Sequence, residues 1–247
     1  TEIRFRKFCG DRVKSYDDLK PSALKQRIIE HFLPTLHEFK RQERDLKIEI
    51  ELETAESNEQ REFLSGVETV TYSDLPELNS VMIDDSTLDV YDKIEMFYHI
   101  SVGGGKGSQL IAVNIDGRTI PINLIQPSSV PPDCSIIFLF SSSLFAARAD
   151  SARQRLVLPD GLPEAELFKV LRTYVGNILE ENIPQIEERN EETAVKFEND
   201  FPHLLGYFEQ STVGLINKDE ALCIAQQKFF HEQKRILQCE TFVRCFI

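Results

Sequence analysis

The stretch Ser135-Ile136-Ile137-Phe138-Leu139-Phe140 limits the fold of this chain more than any other. Side chains alternate between the two faces of a strand, so five consecutive large apolar residues put hydrophobic surface on both. The run therefore predicts a central strand covered above and below. Other segments have to supply those covers.

From Pro21 to Phe39, the residues Leu24, Ile28, Phe32, Leu36 and Phe39 recur at three- and four-residue steps, and Lys20-Pro21-Ser22 is a helix start with an early proline. One amphipathic helix is predicted, kinked or divided at Pro34. Leu46, Ile48, Ile50 and Leu52 then alternate with Lys47, Glu49, Glu51 and Glu53, the period of a strand with one buried face. Thr54 to Ser65 is polar and reads as an exposed excursion, and short apolar runs broken by turn signals continue to Asp92. Lys93 to Ile125 is β-rich. Within it, Asp116-Gly117 between two apolar runs predicts a hairpin, because a type I′ turn needs positive φ. Helical periodicity returns at Glu164 to Leu179, Ala194 to Phe208 and Lys218 to Ile236. The expected class is α+β, an α/β body followed by a helical extension.

The 247 residues carry 28 Lys and Arg against 41 Asp and Glu, a net charge of −13, with 41% hydrophobic residues. That share is too high for a disordered chain, no run approaches the roughly 18–20 apolar residues of a membrane helix, and no repeat is present. So acidic a balance disfavours a protein that grips nucleic acid over its whole surface, leaving only a local basic patch for that purpose. Cys9, Cys134, Cys223, Cys239 and Cys245 form an odd set without a Cys-x-x-Cys pair. They read as reduced thiols of a cytosolic protein, not as a disulfide frame or zinc site.

Several motifs fall short of chemistry. Gly103-Gly104-Gly105-Lys106-Gly107 suggests a phosphate loop, but Ile100 stands where a P-loop needs its first glycine and Gly107 where it needs Ser or Thr. It reads as a strand connection. His31 and His37 lie six apart and share no helical face, and Glu187-Glu188 with Glu191-Glu192 reads as a solvated helix surface. Ser141-Ser142-Ser143 lacks the elbow of a hydrolase nucleophile. The segment from Ser143 to Pro159 is different: Arg148, Arg153 and Arg155 concentrate positive charge between the buried strand and the apolar run Leu156-Val157-Leu158. They would either attract an anion or pair with surface carboxylates.

The order of these pieces resembles the second domain of the GHKL ATPases, the superfamily of gyrase B, histidine kinases, MutL and the ninety-kilodalton heat-shock chaperones. In its bacterial chaperone-like members an Asn-Gly-Arg hairpin precedes a strand and a Val-Asn-x-Glu-Arg-x-x-Phe segment. Here Asp116-Gly117-Arg118 precedes the apolar strand, and Ala149-Asp150-Ser151-Ala152-Arg153 runs on to Leu156, with Asp150 for Asn, Ala152 for Glu and Leu156 for Phe. Phe201-Pro202-His203-Leu204-Leu205-Gly206-Tyr207-Phe208 is similar to that family's Pro-x-x-x-x-Leu-x-Tyr element, and Thr1-Glu2-Ile3-Arg4-Phe5 to the strand closing its nucleotide domain.

The resemblance implies a fragment. Residues 1–14 would be the terminal strand of a nucleotide-binding domain and a linker, 15–182 a transducer-type αβα sandwich of the fold named after a ribosomal small-subunit protein, and 183–247 the helical extension. It also implies ATP and magnesium as cofactors of the parent protein, with none held by this chain, since the family's Asn and Asp-x-Gly-x-Gly have no counterpart here. Arg153 matches the residue that reaches the terminal phosphate when the domains close, with Arg155 next and Arg148 third. The partners implied are the protein's own nucleotide-binding domain and a protein client or second copy, without a membrane and with nucleic acid disfavoured. A MutL-like or phage-defence ATPase is the alternative within the family, and an acidic protein-interaction domain without ATP chemistry the alternative outside it. Titration of this chain with magnesium-ATP in a calorimeter is expected to give no binding heat; micromolar affinity would show a pocket the sequence does not reveal.

Overall fold

The apolar run becomes the middle of a five-stranded sheet. The computed structural model describes residues 20–52, 66–85, 88, 93–103, 107–143, 145 and 164–244, with side chains from 167 to 235 in the last stretch. The sheet contains β3 (Asn79–Ile83), β4 (Ile94–Val102), β5 (Gln109–Ile115), β6 (Arg118–Pro121) and β7 (Cys134–Ser141), in the spatial order β3-β4-β7-β5-β6. β7 runs antiparallel to β4 and parallel to β5, so the sheet is mixed. Pro121, which has no N–H for a ladder, sits in edge strand β6. β1 (Ile48–Leu52) and β2 (Gly66–Val70) form a separate antiparallel pair, and in β1 the isoleucines and leucine are half-buried while both glutamates are exposed, the predicted period of two.

Alternate residues of β7 serve different cores. Ile136, Phe138 and Phe140 are fully buried in the larger one, with Val113 and Ile115 of β5 and with Leu167, Leu171, Val175 and Leu179 of helix α2 (Glu164–Asn182). Ile137 of β7 and Leu110 of β5 pack instead with Ile29, Leu33 and Leu36 of helix α1 (Pro21–Arg41), joined by Val70 and Leu75. Both faces of the central strand are thus covered, as its composition requires.

Three further helices follow: α3 (Pro184–Asp200), the single turn α4 (Gln210–Val213) and α5 (Lys218–Arg244). The structure corrects the expected helix Ala194–Phe208. Helix α3 starts ten residues earlier, at Pro184, where an N-terminal proline costs no hydrogen bond, and it stops before Pro202, which cannot continue it. The strongly acidic solvent face hid its first two turns from an apolar periodicity count. Helix α5 reaches Arg244, past the predicted Ile236.

The extension is held to the body by polar groups that burial forces into contact. Arg172 of α2, only 7% exposed, donates from Nε to the Leu124 carbonyl at 2.6 Å and from Nη2 to Glu220 Oε1 of α5 at 2.6 Å. Asn190 of α3 donates to Glu180 Oε1 at 2.7 Å and accepts the Gly214 amide at 2.8 Å. The Gln126 amide donates to the Leu215 carbonyl at 2.8 Å. At the crossing of α2 and α4, a Cβ on Gly176 would lie 2.3 Å from the Ser211 carbonyl oxygen. Gly176→Ala is therefore expected to lose about 1–3 kcal/mol through overpacking, outweighing the ~1 kcal/mol that alanine gains in a helix. The midpoint of urea unfolding measures this, and an unchanged or raised midpoint would mean the crossing is loose.

Candidate functional site

Pro34 creates the feature from which the site is built. Lacking an N–H, it leaves the Glu30 carbonyl without its helical donor, and the helix departs from helical geometry at Phe32 (φ −110°, ψ 15°). The buried Thr119 of β6 fills the vacancy, its Oγ1 donating to the Glu30 carbonyl at 2.7 Å. One turn on, Thr35 Oγ1 donates to the Gly117 carbonyl at 2.7 Å. The β5–β6 turn is thereby bolted to the kink of α1.

The turn is the one the sequence predicts. Asp116 and Gly117 have φ of 50° and 79°, the positive pair that a type I′ turn requires. Close approach to α1 adds a second demand for glycine, since a Cβ on Gly117 would fall 2.2 Å from Thr35 Oγ1. Asn114 braces the turn by accepting the Gly117 amide at 3.0 Å and, from Nδ2, donating to Ser141 Oγ at 3.2 Å. Ser141 is the last residue of β7. Kinked helix, hairpin turn and the end of the central strand therefore meet in one corner.

The arginine-bearing segment leaves from this corner. Phe145, 1% exposed, anchors the chain in the larger core three residues before Arg148, and Leu167 anchors it again on return. Arg148, Arg153 and Arg155 themselves lie outside the described residues, as do the predicted run Leu156-Val157-Leu158, residues 1–14 and Thr54 to Ser65. Arg118 of the hairpin is exposed beside the turn. Thr35, Asn114 and Thr119 are the residues that sequence reasoning passed over. The signal was present in Pro34, which announces an orphaned carbonyl and hence a donor somewhere else in the chain.

The glycine-rich connection has a structural explanation. The Gly107 amide donates to the Pro132 carbonyl at 2.8 Å, and a Cβ there would lie 2.1 Å from the Cys134 carbonyl oxygen. Glycine at 107 lets the chain pass against the start of β7. Among the described residues, no group of three His, Cys, Asp or Glu converges as a metal site, and no helix is long and apolar enough to cross a membrane.

Charge is placed around α1. Lys25 Nζ lies 2.6 Å from Asp74 Oδ1, and this ammonium, with the Thr71 amide at 2.8 Å, holds the Asp74 carboxyl below its usual range. Burial pushes His37 below the ordinary imidazole range against the opposing hydrogen bond to the Pro76 carbonyl, and its Nε2 has no partner among the described residues. Burial also raises the Cys134 thiol, with Asp133 adding to it. No protein-family model, curated protein or solved structure matches this chain.

Two outcomes test the corner. Thr119→Val removes the hydroxyl but keeps the shape, leaving the Glu30 carbonyl unpaired, and should cost about 1–3 kcal/mol in denaturant unfolding. A loss below a few tenths would show the carbonyl to be satisfied elsewhere. For His37, a lowered folded pKa means that the unfolded chain binds the proton more readily. Stability should accordingly be complete above the unfolded value, about 6.5, and fall as pH drops below it. The difference between wild type and His37→Gln, followed from pH 8 to 5, should shrink towards low pH; a constant difference would overturn the assignment.

Proposed function

We propose that this chain is the transducer and helical middle part of a chaperone-like GHKL ATPase, and that it couples nucleotide state to domain closure. The carrying observation is the corner itself. The Asp116-Gly117-Arg118 hairpin, the family's signature position here, is pinned to α1 on one side and through Asn114 to the end of β7 on the other. From that end the chain runs directly to the arginine segment. A sheet covered by α1 on one face and α2 on the other is consistent with the αβα arrangement of a transducer.

In this reading the nucleotide belongs to a preceding domain, and ATP with magnesium is bound there. Arg153 reaches the terminal phosphate only when that domain closes on this one, with Arg155 assisting and Arg148 as a weaker contributor. A cation placed where negative charge builds up during phosphoryl transfer is worth about 10³–10⁵ in rate when fully developed. The corner supplies stiffness: movement delivered through α1 is passed to the turn by two hydroxyl–carbonyl bonds. Binding and release of a protein client would follow the closure. A second reading, an acidic interaction domain without ATP chemistry, draws support from the exposed carboxylates of α3.

The two readings separate on Arg153→Ala in the protein that carries its nucleotide-binding domain. The ATPase reading expects turnover to fall by orders of magnitude with ATP affinity nearly retained, because the contact exists chiefly in the reacting state. Arg153→Lys should recover only part, since an ammonium lacks the planar fork that grips two phosphate oxygens, and Arg155→Ala should cost less. Wild-type turnover in Arg153→Ala would end the assignment of that residue.

A further inference from the structure

Helix α5 leaves one described stretch uncovered. Ala221 and Ala225 are buried, and Phe229 packs edge-on against Tyr207 with ring centroids 5.4 Å apart. From Gln226 to Arg235, however, every residue except Lys228 and Phe229 is exposed. Phe230 is 66% exposed, more than any other large apolar side chain among the described residues. From Phe230 to Arg235 no side chain is covered. Helices are held by packing of a face rather than by propensity, so the exposed aromatic at Phe230 amid uncovered neighbours calls for a partner.

Charge decides which partner. Between Gln226 and Arg235 the helix has Lys228, Lys234 and Arg235 against Glu232, a basic stretch in a chain of net charge −13. Lys228 is engaged by Glu209 and Glu232 by the Tyr207 hydroxyl, and neither Lys234 nor Arg235 pairs with a carboxylate among the described residues. Two such stretches laid together would oppose like charges. The complementary surface is on α3, where Glu187, Glu188, Glu191 and Glu192 are all exposed. Glu188, Glu191 and Glu192 stand seven, four and three residues before Val195, on one helical face with it, and Val195 is 59% exposed. That ridge offers carboxylates around a small apolar seat, matching cations around an apolar knob.

We propose that the outer half of α5 docks on the α3 ridge of a second copy of this chain, reciprocally, giving a twofold dimer. Phe230 seats at Val195, and Lys234 with Arg235 faces Glu188, Glu191 and Glu192. The exchange makes two equivalent contacts, each with an aromatic anchor and a charged rim. Association is therefore weakened by salt, as expected for exposed charge pairs. This dimer is independent of ATP chemistry and stands or falls without it.

Sedimentation velocity on the chain across concentration and salt tests the proposal, with circular dichroism confirming that each variant stays folded. The wild type should dimerise with a roughly micromolar dissociation constant that weakens in high salt, and Phe230→Glu should raise it at least about tenfold. Lys234→Glu with Arg235→Glu, and separately Glu191→Lys with Glu192→Lys, should each give monomers. Mixing these two charge-reversed proteins should restore a dimer, because both reciprocal contacts then pair opposite charges again. A wild type that stays monomeric, a dimer indifferent to these changes, or two reversed variants that fail to associate when mixed would each overturn it.

Discussion

The structure depends on the insertion of β7 between β4 and β5. Those two strands are consecutive in the chain, joined through the glycine-rich connection, yet they do not pair with each other. The gap between them is filled by a strand that comes later in sequence, and it is the most apolar segment available. Its two faces organise two separate cores, one under α2 and one under α1. Ile136, Phe138 and Phe140 form the floor under α2, whereas α1 rests on β6 and β2 and meets β7 at Ile137. The tight passage at Gly107 follows from the same insertion, because the β4–β5 connection must cross the beginning of β7 at backbone contact distance.

This arrangement gives the corner at the far end of β7 its mechanical character. Ser141, at the end of the central strand, is paired on both sides, with Glu95 of β4 and Asn114 of β5. Asn114 ties the hairpin turn to that fixed point, and Thr35 and Thr119 tie the kink of α1 to the hairpin. The bonds are neutral: two hydroxyl–carbonyl bonds of 2.7 Å and two made by the Asn114 amide group at 3.0 and 3.2 Å. Such a junction transmits position well, which is the property a coupling element needs in the proposed function.

Much of this was legible in the sequence, for identifiable reasons. The unbroken run Ile136 to Phe140 could only be central, the alternation Ile48 to Leu52 could only be one-sided, and Asp116-Gly117 could only be a turn with positive φ. Each of these is decided by near neighbours. What stayed hidden is decided at a distance. That Thr119 would answer the carbonyl freed by Pro34 depends on a contact across 89 positions. Helix α3 was misplaced because its first turns carry Glu187, Glu188, Glu191 and Glu192, and its burial rests on a few positions such as Ile186 and Asn190. The arginines were conspicuous by charge alone, which says that an anion is attracted without saying from where.

The clamps around Arg172 carry a consequence for how the chain can be divided. The family resemblance places a boundary after residue 182, between an α/β body and a helical extension. Yet a guanidinium buried in the body spends one bond on Glu220 beyond that boundary, Asn190 reaches back to Glu180, and Leu215 belongs to the core of the sheet. Severed there, the body would keep a buried cation facing an empty place, and the helices would lose the wall against which their first turns are packed. Contacts therefore cross residue 182 from both sides. The extension keeps a core of its own around Phe197 and Phe208, and Ile183, Ile186 and Leu215 root it in the core of the body.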